Sequence, residues 1–209
     1  VKWKDWQTSQ QGGYQLMSSF GEKKAVTLTN KKGGNSPNLV QYCIRNFARV
    51  YPKGTRVDSS NYDPQAMWNC GMQLVALNFQ TPDSPMWVNN GKFRANGGSG
   101  YLCKPSAMLD PTINFDPFLS ATWNKVVMPV TIKLRIMSAR HLVKPGKGVA
   151  SPYVNVTVSG VDADAAGNDR RTTIIPDNGF KPYWNQEVKL EIAMPELACI
   201  KFTVYDEDM

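Results

Sequence analysis

Arg49 and Tyr51 stand two residues apart in the segment RVYP. In an extended strand, residues two apart share a face, so these side chains project together while Val50 turns the other way. A guanidinium offers paired N–H donors that match two oxygens of a phosphate, and a tyrosine ring beside it supplies a flat apolar wall. Ser19 lies three residues before Glu22 in SSFGE, the spacing of a capping box, which predicts a helix start there. The free N–H groups and positive dipole of such a helix start are also where phosphate is favoured. Asp206 and Asp208 form a second pattern, spaced acids that match a calcium loop, but several oxygens must converge on one ion and two acids are insufficient, so plain strand-end acids are the alternative.

Residues suited to acid–base or nucleophilic work are few. The DSSN stretch at Asp58 to Asn61 holds two serines, but no histidine base accompanies them, and these side chains are expected to brace a loop through local hydrogen bonds. His141, in ARHL, is the only histidine and falls at the end of a predicted strand, where a surface or structural role is expected. Cys43, Cys70, Cys103 and Cys199 are widely spaced with no CxxC pair, and one histidine completes no zinc set, so reduced thiols are expected. Asn155-Val156-Thr157 matches a glycosylation pattern, but its place inside a predicted strand argues against use.

The formal charge of +7 implies attraction to polyanions, whether nucleic acid, anionic lipid headgroups or acidic proteins. No RNP-like aromatic motif, zinc finger or basic helix accompanies it, which argues against nucleic acid. Lys23, Lys24, Lys31, Lys32, Lys53 and Arg56 add positive charge near the Ser19 and Arg49 segments, as solvated surface. The chain holds no run of eighteen apolar residues, and its start VKWKDWQTSQ lacks both an initiator Met and a signal-peptide core. A soluble chain excised from something longer is the expectation.

The elements that must position these residues fall into two grammars. Ser36-Pro37 opens a helix, with Ser36 as cap, and Leu39, Val40, Cys43, Ile44 and Phe47 fall on one helical stripe. Gln73 to Phe79 is a near-continuous apolar run, as expected for a parallel strand covered on both faces. After Pro129 the period becomes two: Val130, Ile132, Leu134 and Ile136 alternate with polar residues. So do Val154, Val156 and Val158, then Val188, Leu190 and Ile192, then Ile200, Phe202 and Val204. The fold class predicted is α/β plus all-β, with a β-sandwich in the second half and a linker at 117–128, where neither period holds.

Four stretches resemble a known family. MSSF at Met17 to Phe20, RVYPKGTRVDSSNY at Arg49 to Tyr62, MWNCGMQLVALNFQT at Met67 to Thr81 and NGGSGYLCKP at Asn96 to Pro105 resemble, in order and spacing, the Y half of phosphoinositide-specific phospholipase C. From Pro129 onward the chain is similar to the C2 domain that follows. The resemblance implies the second half of a TIM-like (β/α)8 barrel over 1–116, a linker over 117–128, and a truncated C2 β-sandwich over 129–209. A whole barrel needs about 250 residues, and half a barrel exposes strand edges and its inner face, so the complete protein is expected to extend upstream.

By the same resemblance, Ser19, Arg49 and Tyr51 contact the phosphorylated headgroup of phosphatidylinositol 4,5-bisphosphate. The parent enzyme would hydrolyse that lipid to diacylglycerol and inositol 1,4,5-trisphosphate. Two catalytic histidines and the Asn, Asp and Glu ligands of a catalytic Ca2+ belong to the X half, so no catalytic residue is expected in this chain, and the fragment alone would be inactive. A catalytically inactive phosphoinositide-binding scaffold is the alternative. Asp206 and Asp208 would belong to a C2 calcium loop, although Ser151 stands where calcium-binding members have an aspartate. Thr55 replaces a tryptophan that some members insert into the membrane. The implied setting is cytoplasmic and peripheral to membranes, the partners being the lipid, the membrane surface and the X half. ARHLVKPGKGV and VYDEDM look gamma-like, whereas NGGSGY is closer to delta and beta members.

Overall fold

The computed structural model describes residues 15–32, 34–144 and 146–207. Three short strands, β1 (Met17–Gly21), β2 (Phe47–Tyr51) and β3 (Leu74–Val75), form a parallel sheet in that order. Their period-two alternation splits the side chains cleanly. Ser18, Phe20, Ala48 and Val50 are buried, whereas Met17, Ser19, Phe47, Arg49, Tyr51 and Leu74 lie on the exposed face. The buried face packs on α1 (Glu22–Leu28), α2 (Ser36–Arg45) and α3 (Gln65–Asn69) through Ala25, Leu39, Val40, Tyr42, Cys43 and Met67. This is the expected helix-on-parallel-sheet layering, with one face of the sheet left uncovered.

Local details depart from the sequence pattern. Asn35, not Ser36, is the cap residue of α2, and Ser36 and Pro37 occupy the first turn. Phe47 does not extend the helical stripe. The chain becomes extended at Asn46, Phe47 donates its N–H to the carbonyl of Leu16 at 3.0 Å, and pairing with β1 replaces another helical turn. The apolar run Gln73 to Phe79 forms a strand only at Leu74–Val75, with Ala76 N–H adding one bond to the Val50 carbonyl. Leu74 is 45% exposed, so the expected cover on both faces is absent among the described residues. Gln73 turns back instead, accepting from Ala48 N–H and donating to the carbonyls of Cys43 and Asn46.

Two further helices follow, α4 (Ser84–Lys92), whose cap Asp83 accepts from Met86 N–H, and α5 (Ser106–Leu109). The segment expected as a linker is packed. Trp123 is 2% exposed, stacks on Phe115 with ring centroids 6.2 Å apart, and donates its indole N–H to the Asp116 carbonyl at 3.0 Å. An indole buries one of the largest apolar surfaces available, which joins this stretch to the first core.

The second half is a sandwich. Strand β4 (Val130–Ser138) pairs antiparallel with β7 (Tyr183–Ile192); opposite them, β5 (Pro152–Ser159) pairs with β6 (Arg170–Arg171) and β8 (Cys199–Asp206). Val154, Val156 and Val158 meet Val188, Leu190 and Ile192 in its core, as the alternation predicts. Phe202 and Val204 share the inner face yet are 53% and 46% exposed, so the sandwich is open over β8.

The two halves share one core. Val161, Met194 and Leu197, from turns of the sandwich, are buried in the same cluster as Phe20, Met67 and Trp123. The helix α6 (Asp162–Gly167) shapes this joint, since fully buried Asp164 accepts the N–H groups of Ala193 and Met194. Across the seam Asn69 donates to the Gly160 carbonyl at 2.8 Å and Gln65 to the Leu197 carbonyl at 3.1 Å. Burying an aliphatic side chain contributes about 1.5–3 kcal/mol, whereas an exposed ion pair such as Lys31–Asp162 adds at most about 1 kcal/mol. The apolar seam therefore sets the joint. No described helix is long and apolar enough to cross a membrane.

Replacing Trp123 with Ala tests the place of this segment in the core. The expected loss is about 3–5 kcal/mol of unfolding free energy in a denaturant titration, whereas a loose linker would lose almost nothing.

Candidate functional site

Parallel pairing sets Ser19 opposite Arg49 and Gly21 opposite Tyr51. Ser18, one residue away, faces inward, where its hydroxyl accepts from Tyr42 Oη at 2.8 Å. That anchor holds the phase of β1 and leaves Ser19 on the outer face. Arg49 and Tyr51 project to the same face, with the guanidinium carbon 5.5 Å from the ring centroid, a cation–π contact. Arg49 has no carboxylate partner among the described residues, so its donors remain available to an anion. The three residues singled out from sequence thus meet on one exposed surface, although they come from strands some thirty positions apart.

The capping box is a correction. Ser19 lies inside β1, and α1 begins at Glu22 with extended Gly21 as its cap residue and no side-chain cap. Strand pairing carries Ser19 onto the sheet face and out of reach of the first helical turn. Glu22 is likewise turned away. Its Oε2 accepts from Lys53 N–H at 3.1 Å and from Arg56 Nε at 2.8 Å, and its Oε1 accepts from Arg56 Nη2 at 2.6 Å. Arg56, foremost, holds the Glu22 carboxyl below the usual range, and Glu22 in turn raises the guanidinium. Nothing in local spacing signals this pair, because its partners are far apart along the chain.

The DSSN stretch makes the expected local bonds. Asp58 Oδ1 accepts from Ser60 N–H and Oγ, and Ser59 adopts a positive φ of 55°. Its larger role is long-range. Ser60 Oγ accepts from Arg56 Nη1 at 2.8 Å, and Ser59 and Ser60 carbonyls accept from Thr81 Oγ1 and Asn78 Nδ2. Asn61 Nδ2 donates to Asp83 Oδ1 at 3.0 Å, and its Oδ1 accepts from Asn78 N–H. A polar belt therefore runs across the segments that leave all three strands.

Two cavities flank the Arg49–Tyr51 pair. One, of about 690 Å³, lies on the tyrosine side and is lined by Gly21, Lys23, Lys24, Tyr51 and Lys53. The other, of about 910 Å³, lies on the arginine side among Arg49, Leu74, Asn89 and Arg94. Cations on both sides suit the surface to a multiply charged anion.

The acids of the sandwich are engaged differently. Asp206 Oδ2 is 2.9 Å from Lys144 Nζ, its Oδ1 accepts from Ser151 N–H at 2.7 Å, and Lys144 chiefly holds its carboxyl below the usual range. Asp208 lies outside the described residues. No three His, Cys, Asp or Glu side chains converge as a metal site among the described residues. His141 packs edge-on against Phe180, with ring centroids 4.7 Å apart, in the sandwich and away from the sheet site.

Residues 1–107 match the family model "Phosphatidylinositol-specific phospholipase C, Y domain", and residues 130–209 match the C2 domain model. The chain is 42% identical to human 1-phosphatidylinositol 4,5-bisphosphate phosphodiesterase gamma-2, covering 94% of this chain and 15% of that protein. It is 39% identical to the human delta-1 protein, over 92% of this chain and 25% of that protein. Among solved structures, PLC21 of S. officinalis aligns with a TM-score of 0.77 at 41% identity, over 91% of this chain and 24% of its own. The chain thus spans about a quarter or less of these relatives.

The Glu22 carboxyl titrates below its ordinary value of 4.5 when folded, so its contribution to stability is full above that pH and is lost as pH falls through the folded value. Thermal melts should show a gap between the parent chain and Glu22→Gln that is widest near neutral pH and narrows as pH falls below 4.5 toward the lower folded value. A gap independent of pH would exclude the charge pair as its source.

Proposed function

Because the chain belongs to the phosphatidylinositol-specific phospholipase C family, we propose that it is the headgroup-binding half of an enzyme that hydrolyses phosphatidylinositol 4,5-bisphosphate to diacylglycerol and inositol 1,4,5-trisphosphate. The observation that carries this is the meeting of Ser19, Arg49 and Tyr51 on one exposed sheet face. Arg49 supplies paired donors to a ring phosphate, the Ser19 hydroxyl beside it donates to the same group, and the Tyr51 ring covers the apolar face of the inositol. This half binds and orients.

Acid–base groups and a calcium ion are assigned to an X half that completes the barrel and covers the exposed face. When bound, calcium would stabilise charge on the reacting phosphate and ring oxygen. The described residues of this chain do not form that ion's site. For the sandwich, Asp206 and Asp208 remain the first of several oxygen ligands in a C2 calcium loop, and loading would require Lys144 to leave Asp206. The division into 1–116, 117–128 and 129–209 is retained, with the middle segment acting as a packed joint. Lys23, Lys24 and Lys53 face an anionic membrane on the cytoplasmic side, to which the protein attaches peripherally.

In the full-length protein, Arg49→Ala should lower kcat/KM for the bisphosphorylated lipid at least about tenfold more than for unphosphorylated phosphatidylinositol, because the lost contact is to a ring phosphate. Equal losses would overturn that role. Tyr51→Phe should change either rate by less than about threefold if the ring face is what matters, and a large loss would assign the work to the hydroxyl. A full-length protein that binds the lipid but never cleaves it would be the scaffold instead.

A further inference from the structure

One carboxylate joins the ends of the two strands that carry the candidate site. The chain leaves β1 directly into Glu22 and leaves β2 through Pro52 into Lys53, and Glu22 accepts the Lys53 N–H along with two guanidinium donors of Arg56. The pair is shielded, with side-chain exposures of 8% for Glu22 and 18% for Arg56. Bidentate geometry in such a setting resists both shear and separation, unlike an exposed lysine pair. The ring of Tyr51 folds over the end of β1, where a Cβ on Gly21 would lie 3.5 Å from its hydroxyl oxygen. Any slip between the strand ends would therefore move Tyr51, and with it the guanidinium in cation–π contact with its ring.

The third guanidinium donor extends the brace, since Arg56 Nη1 reaches Ser60 Oγ. From there Asn61 holds Asp83 and the backbone of Asn78, beyond β3. The brace runs from Glu22 across the exits of all three strands, and it accounts for the DSSN stretch, which the binding site itself does not use.

We propose that Glu22, acting through Arg56, is a positioning residue that sets the spacing of Ser19, Arg49 and Tyr51, and so tunes the preference for a ring-phosphorylated headgroup. This rests on the functional reading above. Glu22 does not touch the headgroup, and its effect passes through the strand ends.

The test uses the full-length protein with vesicles containing either phosphatidylinositol 4,5-bisphosphate or phosphatidylinositol. Glu22→Gln keeps the shape but removes the charge. It is expected to lower kcat/KM about tenfold on the bisphosphorylated lipid and at least about threefold less on the unphosphorylated one. Arg56→Gln should reproduce the shift, and the double variant should lose no more than the worse single one, because both act through one contact. Equal losses on the two lipids, or additive losses in the double variant, would reduce the pair to general stability and overturn the proposal. Should Glu22→Gln fail to fold, Ser60→Ala removes only the outer link and should move selectivity in the same direction; unchanged selectivity overturns it. Arg49→Ala is measured alongside. If it shifts selectivity and the Glu22 and Ser60 variants do not, positioning alone falls; if Arg49→Ala shifts nothing, the headgroup reading falls first and the positioning role with it.

Discussion

The parallel register between Met17–Gly21 and Phe47–Tyr51 is the constraint on which the rest depends. A strand places alternate side chains on opposite faces, so a one-residue slip of β1 would bury Ser19 and expose Phe20, and one of β2 would bury Arg49 and expose Val50. Two inward anchors oppose that slip. Phe20, Ala48 and Val50 are almost fully buried against the helices, and Ser18 is bonded to Tyr42. The core thus protects the site without touching it, because moving any outward residue inward carries an apolar residue out.

The outer face carries a different burden. Met17, Phe47, Tyr51 and Leu74 expose apolar surface beside Ser19 and Arg49, on a class of sheet that is ordinarily covered on both sides. A cover there would exclude water from the guanidinium and strengthen its hold on a phosphate, since charge pairs gain as the local dielectric falls. The sandwich does not supply that cover. It packs on the helical side, through Val161, Met194 and Leu197, and so braces the layer behind the sheet. Binding face and docking face are kept on opposite sides.

Much of this was legible in the sequence. Period-two alternation after Pro129 located the sandwich strands, because one buried face imposes that pattern wherever a sheet meets a core. Arg49 and Tyr51 could be placed on one face from their spacing alone, for the same reason. The errors lie where a tertiary partner outbid a local preference. Ser19 and Glu22 have capping spacing, but a strand partner claims the first and Arg56 the second. Phe47 fits the helical stripe, yet β1 offers it a strand. Trp123 sits in a stretch with no period, and only its burial in the folded core, stacked on Phe115, shows its place.

The sequence by itself determined the family, through the long stretches that resemble it, and also the two grammars of secondary structure and the residue types able to grip a phosphate, which are written in spacings of a few residues. Tertiary structure alone decided that Ser19 faces Arg49, that Glu22 spans two strand exits to reach Arg56, and that the sandwich shares a core with the sheet's helices. The physical reason is range. Periodicity reports how one element meets its environment, whereas a hydrogen bond between residues thirty or more positions apart exists only once the intervening chain has folded both to the same place.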